Sequence, residues 1–116
     1  MSHRTRPGQV WLVDLGDPVG SEQAGRRPAV VVGSDLHCSF PIGMVLVAPC
    51  TTVDRGLPHH VPLDWRAAGL DRPTRVRTED IRALSERRLV GTQPLGHLTA
   101  ADLATLRRYL ALMLDL

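Results

Sequence analysis

The sequence predicts a mainly β domain, a small and strongly bent sheet or barrel, closed by one C-terminal helix. Three observations point there. Five or so short segments rich in valine, leucine and threonine are separated by Gly/Pro turn signals, the pattern of a compact β fold. From Thr99 onward the period changes, and leucines recur at helical spacing. The 116 residues are 43% hydrophobic and 22% charged, which reads as globular. A chain of that length buries roughly two-thirds of its unfolded surface, enough for one core. A single domain over 1–116 is therefore expected.

Residues 1–7 are polar and expected to fray. Residues 9–15 form the first strand: Trp11, Val13 and Leu15 share one face, Val10 and Leu12 the other. Both faces are apolar, so the strand should be central in its sheet. Gly16-Asp17-Pro18 stops it. A polar, glycine-bracketed loop follows, Gly20-Ser21-Glu22-Gln23-Ala24-Gly25-Arg26-Arg27-Pro28, running into Ala29-Val30-Val31-Val32. Residues 27–33 read as the second strand, with Pro28 at its first position, where a missing N–H is tolerated. Pro28 also biases Arg27 towards an extended backbone. Arg27 should then stand at a strand mouth beside a loop that offers a hydroxyl, a carboxylate and an amide.

Residues 34–40 read either as one helical turn capped by Ser34 or as a loop. Residues 44–48 form the third strand, ended by Pro49. If strands two and three are antiparallel neighbours, Arg27 and Thr51 meet at one edge of the sheet. Residues 59–63 read as a short edge strand, because Pro62 would spoil a central one. Residues 65–69 suggest a helical turn ended by Gly69. Thr74 to Thr78 alternates and reads as a strand, and residues 79–84 are ambiguous between strand and turn. Residues 85–88 should be exposed, and residues 89–95 hold a last short strand broken by Pro94 and Gly96. Thr99-x-x-Asp102 resembles a capping box, preceded by Leu98 for a hydrophobic staple with Leu103. Leu103, Leu106, Leu110, Met113 and Leu114 then share one helix face.

No apolar run approaches the ~18 residues of a membrane span. Met1 to Arg6 is followed by no apolar h-region, so no secretory signal is expected and the cytoplasm is the expected compartment. The net charge is +2, yet all 14 basic residues are arginine. The arginine fork suits phosphate recognition, although a GC-rich coding bias produces the same composition. Basicity at this level permits nucleic acid as a partner without demanding it. Cys38 and Cys50 match no zinc spacing and read as buried thiols of a reducing compartment, with a disulfide between them left open. His59 and His60 are adjacent, and strand alternation would send them to opposite faces, so no metal site is expected. Only four aromatics occur, which poorly supports a base-stacking platform. Recognition of a nucleic acid would rest on loops and hydrogen bonds to a single strand.

The spacing Gly20-Ser21-Glu22-Gln23-x-Gly25-x-Arg27-Pro28, then a β run, then Pro49-Cys50-Thr51-Thr52, resembles the MazF/PemK family of toxin endoribonucleases. The likeness extends from about Arg6 to the C-terminus. It implies an SH3-like small barrel of the CcdB/PemK type that forms a homodimer. It also implies a toxin of a type II toxin–antitoxin pair that cleaves single-stranded mRNA at a short sequence. Cleavage would need no metal or other cofactor and would give a 2′,3′-cyclic phosphate. The matching family residues make Arg27 and Thr51 the catalytic pair, with Glu22 the third candidate and nearest base. Ser21 and Gln23 would shape the loop and bind RNA, with Arg26 and Thr52 flanking the pair. Arg77 and Glu79 match an Arg-x-Asp pair of the Kid branch, but here the acid is glutamate and Ser21 replaces that branch's histidine, which is closer to the MazF pattern. The implied partner is a small acidic antitoxin whose tail covers the RNA groove.

Two rival functions share this barrel. A CcdB-like gyrase poison relies on a C-terminal Trp-Gly-Ile, whereas this sequence reads Met113-Leu114-Asp115-Leu116 there. An inactive module that only binds antitoxin has no need to retain Glu22, Arg27 and Thr51 together.

Overall fold

The computed structural model describes residues 5–17, 20 and 25–116. Strand β1 (Gln9–Asp14) pairs antiparallel with β2 (Arg26–Val31). Strand β2 pairs antiparallel with β3 (Met44–Thr51), as the meeting of Arg27 and Thr51 requires. Between them lies a short helix, α1 (Asp35–Ser39). The Ser34 hydroxyl accepts the His37 N–H at 3.1 Å, which decides the segment in favour of helix over loop. Strands β4 (His60–Pro62), β5 (Arg75–Arg77), β6 (Arg82–Ser85) and β7 (Gly96–His97) complete the sheet. The path is β4-β5-β3-β2-β1-β7, with β6 also on β3. As expected for a strand containing Pro62, β4 lies at an edge. A 3-10 turn over Thr78–Asp80 separates β5 from β6, so the ambiguous stretch 79–84 is first turn and then strand.

The long strand β3 bends the sheet by changing partner. Val47 and the residues before it pair with β6, and Cys50 and Thr51 pair with β5. The third strand therefore does not end at Pro49, as expected, but runs through it to Thr51. Pro49 falls between the two ladders on that edge, where a missing N–H costs least. The second strand likewise starts at Arg26, not Arg27. Strand β1 is long enough to pair Val13 with Arg27 and Asp14 with Arg26, so Pro28 is the third strand residue. The last strand is also displaced. No strand covers residues 89–95; Leu89 makes an isolated bridge to Val13, and the pairing strand is Gly96–His97 against Gln9 and Val10.

Two apolar clusters lie on the two sides of the sheet. Trp11, Val13 and Leu15 belong to one with Val31 and Val47, and Val10 joins the other with Val30, Ala48 and Val76. The buried Trp11 indole N–H donates to Gln9 Oε1 at 3.0 Å, so a large apolar side chain enters the core with its donor satisfied. Helix α2 (Ala100–Leu114) lies against the second cluster through the fully buried Leu106 and half-buried Leu110. Its cap is as expected: the Thr99 hydroxyl accepts the Asp102 N–H at 3.1 Å. Met113 and Leu114, expected on the packed stripe, stay exposed within this chain. Both cysteines are free thiols. Among the described residues no helix is long and apolar enough to cross a membrane.

Candidate active site

Ala29 lies opposite Pro49, and continuing that antiparallel register by two residues sets Arg27 opposite Thr51. The far side of Thr51 is paired with Arg75 of β5, which is in turn paired with Pro62 of β4. One row across four strands thus gathers two arginines and a threonine from segments far apart along the chain. A cleft of about 200 Å³ opens there, lined by Arg27, Thr51 and Thr52 on one side and Leu70, Asp71, Arg72 and Thr74 on the other. A second cleft of about 300 Å³ shares Thr52 and Thr74 with it and extends past Arg75 and Pro62. Together they make a continuous groove.

Thr51 is buried but for 5% of its surface, and its hydroxyl oxygen accepts the Val53 N–H at 3.1 Å. That bond anchors the oxygen and leaves the hydroxyl proton to be donated elsewhere. Arg27, directly across on the neighbouring strand, is exposed. The loop that precedes it is clamped at its root: Leu15 N donates to Gly25 O at 2.9 Å, and Gly25 N to Gly16 O at 2.8 Å. Gly25 has φ +70°, a conformation that favours glycine. Ser21, Glu22 and Gln23 lie on that loop, outside the described residues.

Among the described residues of the groove, both aspartates are held by arginine. Arg72 grips Asp71 with Nε at 3.0 Å and Nη2 at 3.2 Å, and Arg75 Nη2 meets Asp54 at 3.2 Å. The hydrogen bond and charge of Arg72 keep the Asp71 carboxyl below the usual carboxylate range, which makes it a poor proton acceptor at neutral pH. Cys50 also lines the cleft, but burial pushes its thiol up to about 12, so it is no nucleophile. Among the described lining residues Arg27, Arg72 and Arg75 stand beside Asp54 and Asp71.

Not every candidate joins this groove. Arg26 is exposed opposite Asp14. Arg77 lies one row further along β5 and Glu79 in the 3-10 turn after it, bonded to each other (Nε to Oε1, 3.1 Å), and neither is among the residues that line the cleft. The structure corrects the sequence-based reading of the histidines. His59 is a turn residue just ahead of β4, so strand alternation does not apply to the pair. Both Nε2 atoms converge on the Glu79 carboxylate, each at 2.9 Å. The far wall of the cleft, Leu70 to Thr74, was not found from sequence. A signal existed: Arg72-Pro73 repeats the Arg27-Pro28 dipeptide, an arginine biased to extended backbone at a strand entrance.

The fold and cleft together are a small bent barrel with an arginine and a buried threonine lining one groove. Residues 6–114 match the sequence profile of the family described as PemK-like, MazF-like toxin of type II toxin–antitoxin system, and the chain belongs to that family. It is 36% identical over 116 residues to endoribonuclease MazF9 of Mycobacterium tuberculosis, covering 96% of this chain and 97% of that one. Among solved structures, a MazF of Deinococcus radiodurans superposes with TM-score 0.83 at 25% identity, over 99% of this chain and 100% of the other. A mycobacterial endoribonuclease in complex with its cognate antitoxin superposes with TM-score 0.78 at 25% identity, over 97% and 96%. The expected family and CcdB/PemK-type fold hold. The chain is a MazF-type toxin of a toxin–antitoxin system, homologous to endoribonucleases.

Proposed function

We propose that this chain is an endoribonuclease that cuts single-stranded mRNA at a short sequence in the cytoplasm, without metal, using Arg27 and Thr51. The observation that carries the reading is their convergence on one groove from positions 24 residues apart. The 2′-oxygen attacks the adjacent phosphorus, the P–O5′ bond breaks, and the products are a 2′,3′-cyclic phosphate and a 5′-hydroxyl. The 2′-hydroxyl proton leaves to a base, for which Glu22 on the clamped loop is the candidate. A proton must also reach the departing 5′-oxygen. Arg27 stabilises the extra charge of the phosphorane through charge-assisted hydrogen bonds. Thr51, its oxygen already anchored, donates its proton to a phosphoryl oxygen. Metal independence is supported by the donor set: among the described lining residues of the cleft the carboxylate is Asp71, which Arg72 already engages. Ser21, Gln23 and Thr52 are assigned to substrate contact at the groove, and Arg26, Arg77 and Glu79 to contact with RNA that runs beyond it.

The partners follow from the surface. An acidic antitoxin segment suits a groove lined by Arg27, Arg72 and Arg75. A homodimer is supported by apolar side chains left uncovered by the chain itself, including Leu36, Phe40, Ile42 and Met44 around α1 and the start of β3.

The test is incubation of the purified protein with RNA of mixed sequence in EDTA, with fragment ends sequenced. Cleavage at a recurring short sequence, leaving 5′-hydroxyl ends and lost in Arg27→Ala, is expected. RNA left intact, with wild type and Arg27→Ala equally inert, would overturn the proposal.

A further inference from the structure

Away from the groove, His59, His60 and Glu79 bring two imidazole nitrogens and a carboxylate within 4.8 Å of one another. We propose that these three side chains form a transition-metal site, best suited to zinc. Two histidines and a glutamate with an open fourth position are a set that zinc takes readily. With metal–ligand bonds of about 2.0–2.1 Å, neighbouring donors of a tetrahedral site lie about 3.3 Å apart. Here each histidine Nε2 is 2.9 Å from a Glu79 oxygen and the three donors lie within 4.8 Å of one another, so side-chain adjustments alone, the carboxylate moving out and the imidazoles closing in, would seat the ion.

The surroundings hold the donors in place. The imidazole rings meet at 77° with centroids 5.0 Å apart, an edge contact that keeps both Nε2 atoms aimed at one point. The Thr78 hydroxyl donates to the His59 carbonyl at 2.7 Å and fixes the turn that carries this ligand. Arg77 Nε, donating to Glu79 Oε1, supplies an outer-shell bond to the carboxylate. His60 is almost fully buried, while His59 and Glu79 keep 25% and 32% of their side chains exposed, which leaves an entry path and room for a water as fourth ligand. One feature limits affinity: the His60 Nδ1 is buried without a hydrogen-bond partner. Ligating histidines ordinarily donate that second N–H, and lack of such a partner weakens a site about 10–100-fold. Binding should therefore be micromolar rather than nanomolar. The site stands one row, roughly 7 Å of strand, from the Arg27–Thr51 row and takes none of its residues.

The experiment uses tag-free full-length protein, stripped with a chelator and dialysed, then titrated with zinc chloride by equilibrium dialysis and with cobalt(II) by visible absorption. One metal ion per chain is expected, with the d–d bands of four-coordinate cobalt. Affinity should fall at least about tenfold in His59→Ala and in Glu79→Gln, a loss of the size expected for a perturbed ligand set. His97→Ala, Cys38→Ser and Arg27→Ala should bind as wild type, the last irrespective of whether RNA is cleaved. If His60→Ala fails to fold, the two other ligand variants decide. Absence of saturable binding, or unchanged affinity in both His59→Ala and Glu79→Gln, would show a hydrogen-bonded ion-pair cluster only and overturn the assignment.

Discussion

Removing the Thr51 hydroxyl while keeping its shape separates catalysis from folding. Thr51→Val deletes the acceptor of the Val53 N–H, a 3.1 Å bond. Such a bond is worth about 0.5–1.5 kcal/mol net. Val53 is 50% exposed, so its N–H can turn to water, and a cost of about 0.5–1 kcal/mol is expected. For a chain of this length that lowers Tm by about 2–4 °C. With an ordinary stability of about 5–15 kcal/mol, well over 99% of the protein stays folded. The rate should fall far more, because losing one donor to a developing oxyanion costs about 10²–10³ in kcat. Single-turnover cleavage of a short single-stranded RNA, beside a thermal melt, reads both effects. Thr51→Ser restores the donor and should recover most of the rate. Cleavage by Thr51→Val within twofold of wild type, or a Thr51→Ser protein as slow as the valine variant, would refute a transition-state role for the hydroxyl.

Arg27→Lys keeps the charge but loses the planar fork, and kcat/KM should drop about tenfold or more with Tm close to wild type; equal activity would mean that Arg27 acts as a point charge. At Gly69 the backbone has φ +76° and an added Cβ would collide with the Leu95 carbonyl, whereas at Gly43, φ +68°, nothing lies within 4 Å. Gly69→Ala should therefore cost more than about 2 kcal/mol, and Gly43→Ala only the left-handed penalty of about 1–2 kcal/mol. Urea melts compare the two. The Cys50 thiol, at about 12, forms almost no thiolate at pH 8, since ionisation requires pH to rise towards that value. Aromatic-disulfide titration of the native protein should leave Cys50 unlabelled, and unfolding should expose it.

Features that depend on neighbours in sequence were legible. The Thr99 cap and the leucine spacing of α2 are local chemistry, settled within one helical turn, whereas the Ser34 cap was legible only as one of two alternatives. The alternation of β1 was legible too, because Trp11, Val13 and Leu15 had to share a face whatever they packed against. The candidate pair was legible from its resemblance to the family motif, and the antiparallel register of these two strands, Ala29 opposite Pro49, brings Arg27 and Thr51 together. Errors fell where a distant partner decided. Pro49 reads as a stop, yet the strand continues because β6 and β5 divide its other edge between them. The final strand shifted to Gly96–His97 because Gln9 and Val10 pair there.

By itself, then, the order of residues determined the β-plus-helix class, the family, the Thr99 cap and the candidate arginine and threonine at the ends of two strands. The class and the cap rest on periodicity, capping and turn chemistry, which act over a few residues; the family and the pair rest on the likeness of the 20–28 and 49–52 stretches to the MazF/PemK pattern. Only the tertiary structure decided the far wall of the cleft and the convergence of His59, His60 and Glu79. The segment carrying Leu70 to Thr74 is positioned by the Asp64 N–H on Asp102 Oδ2 at 2.7 Å and by Gly69 pressed against the Leu95 carbonyl. Those contacts join parts of the chain 38 and 26 residues apart. Contacts at that separation depend on how the whole sheet closes, and no local pattern encodes them.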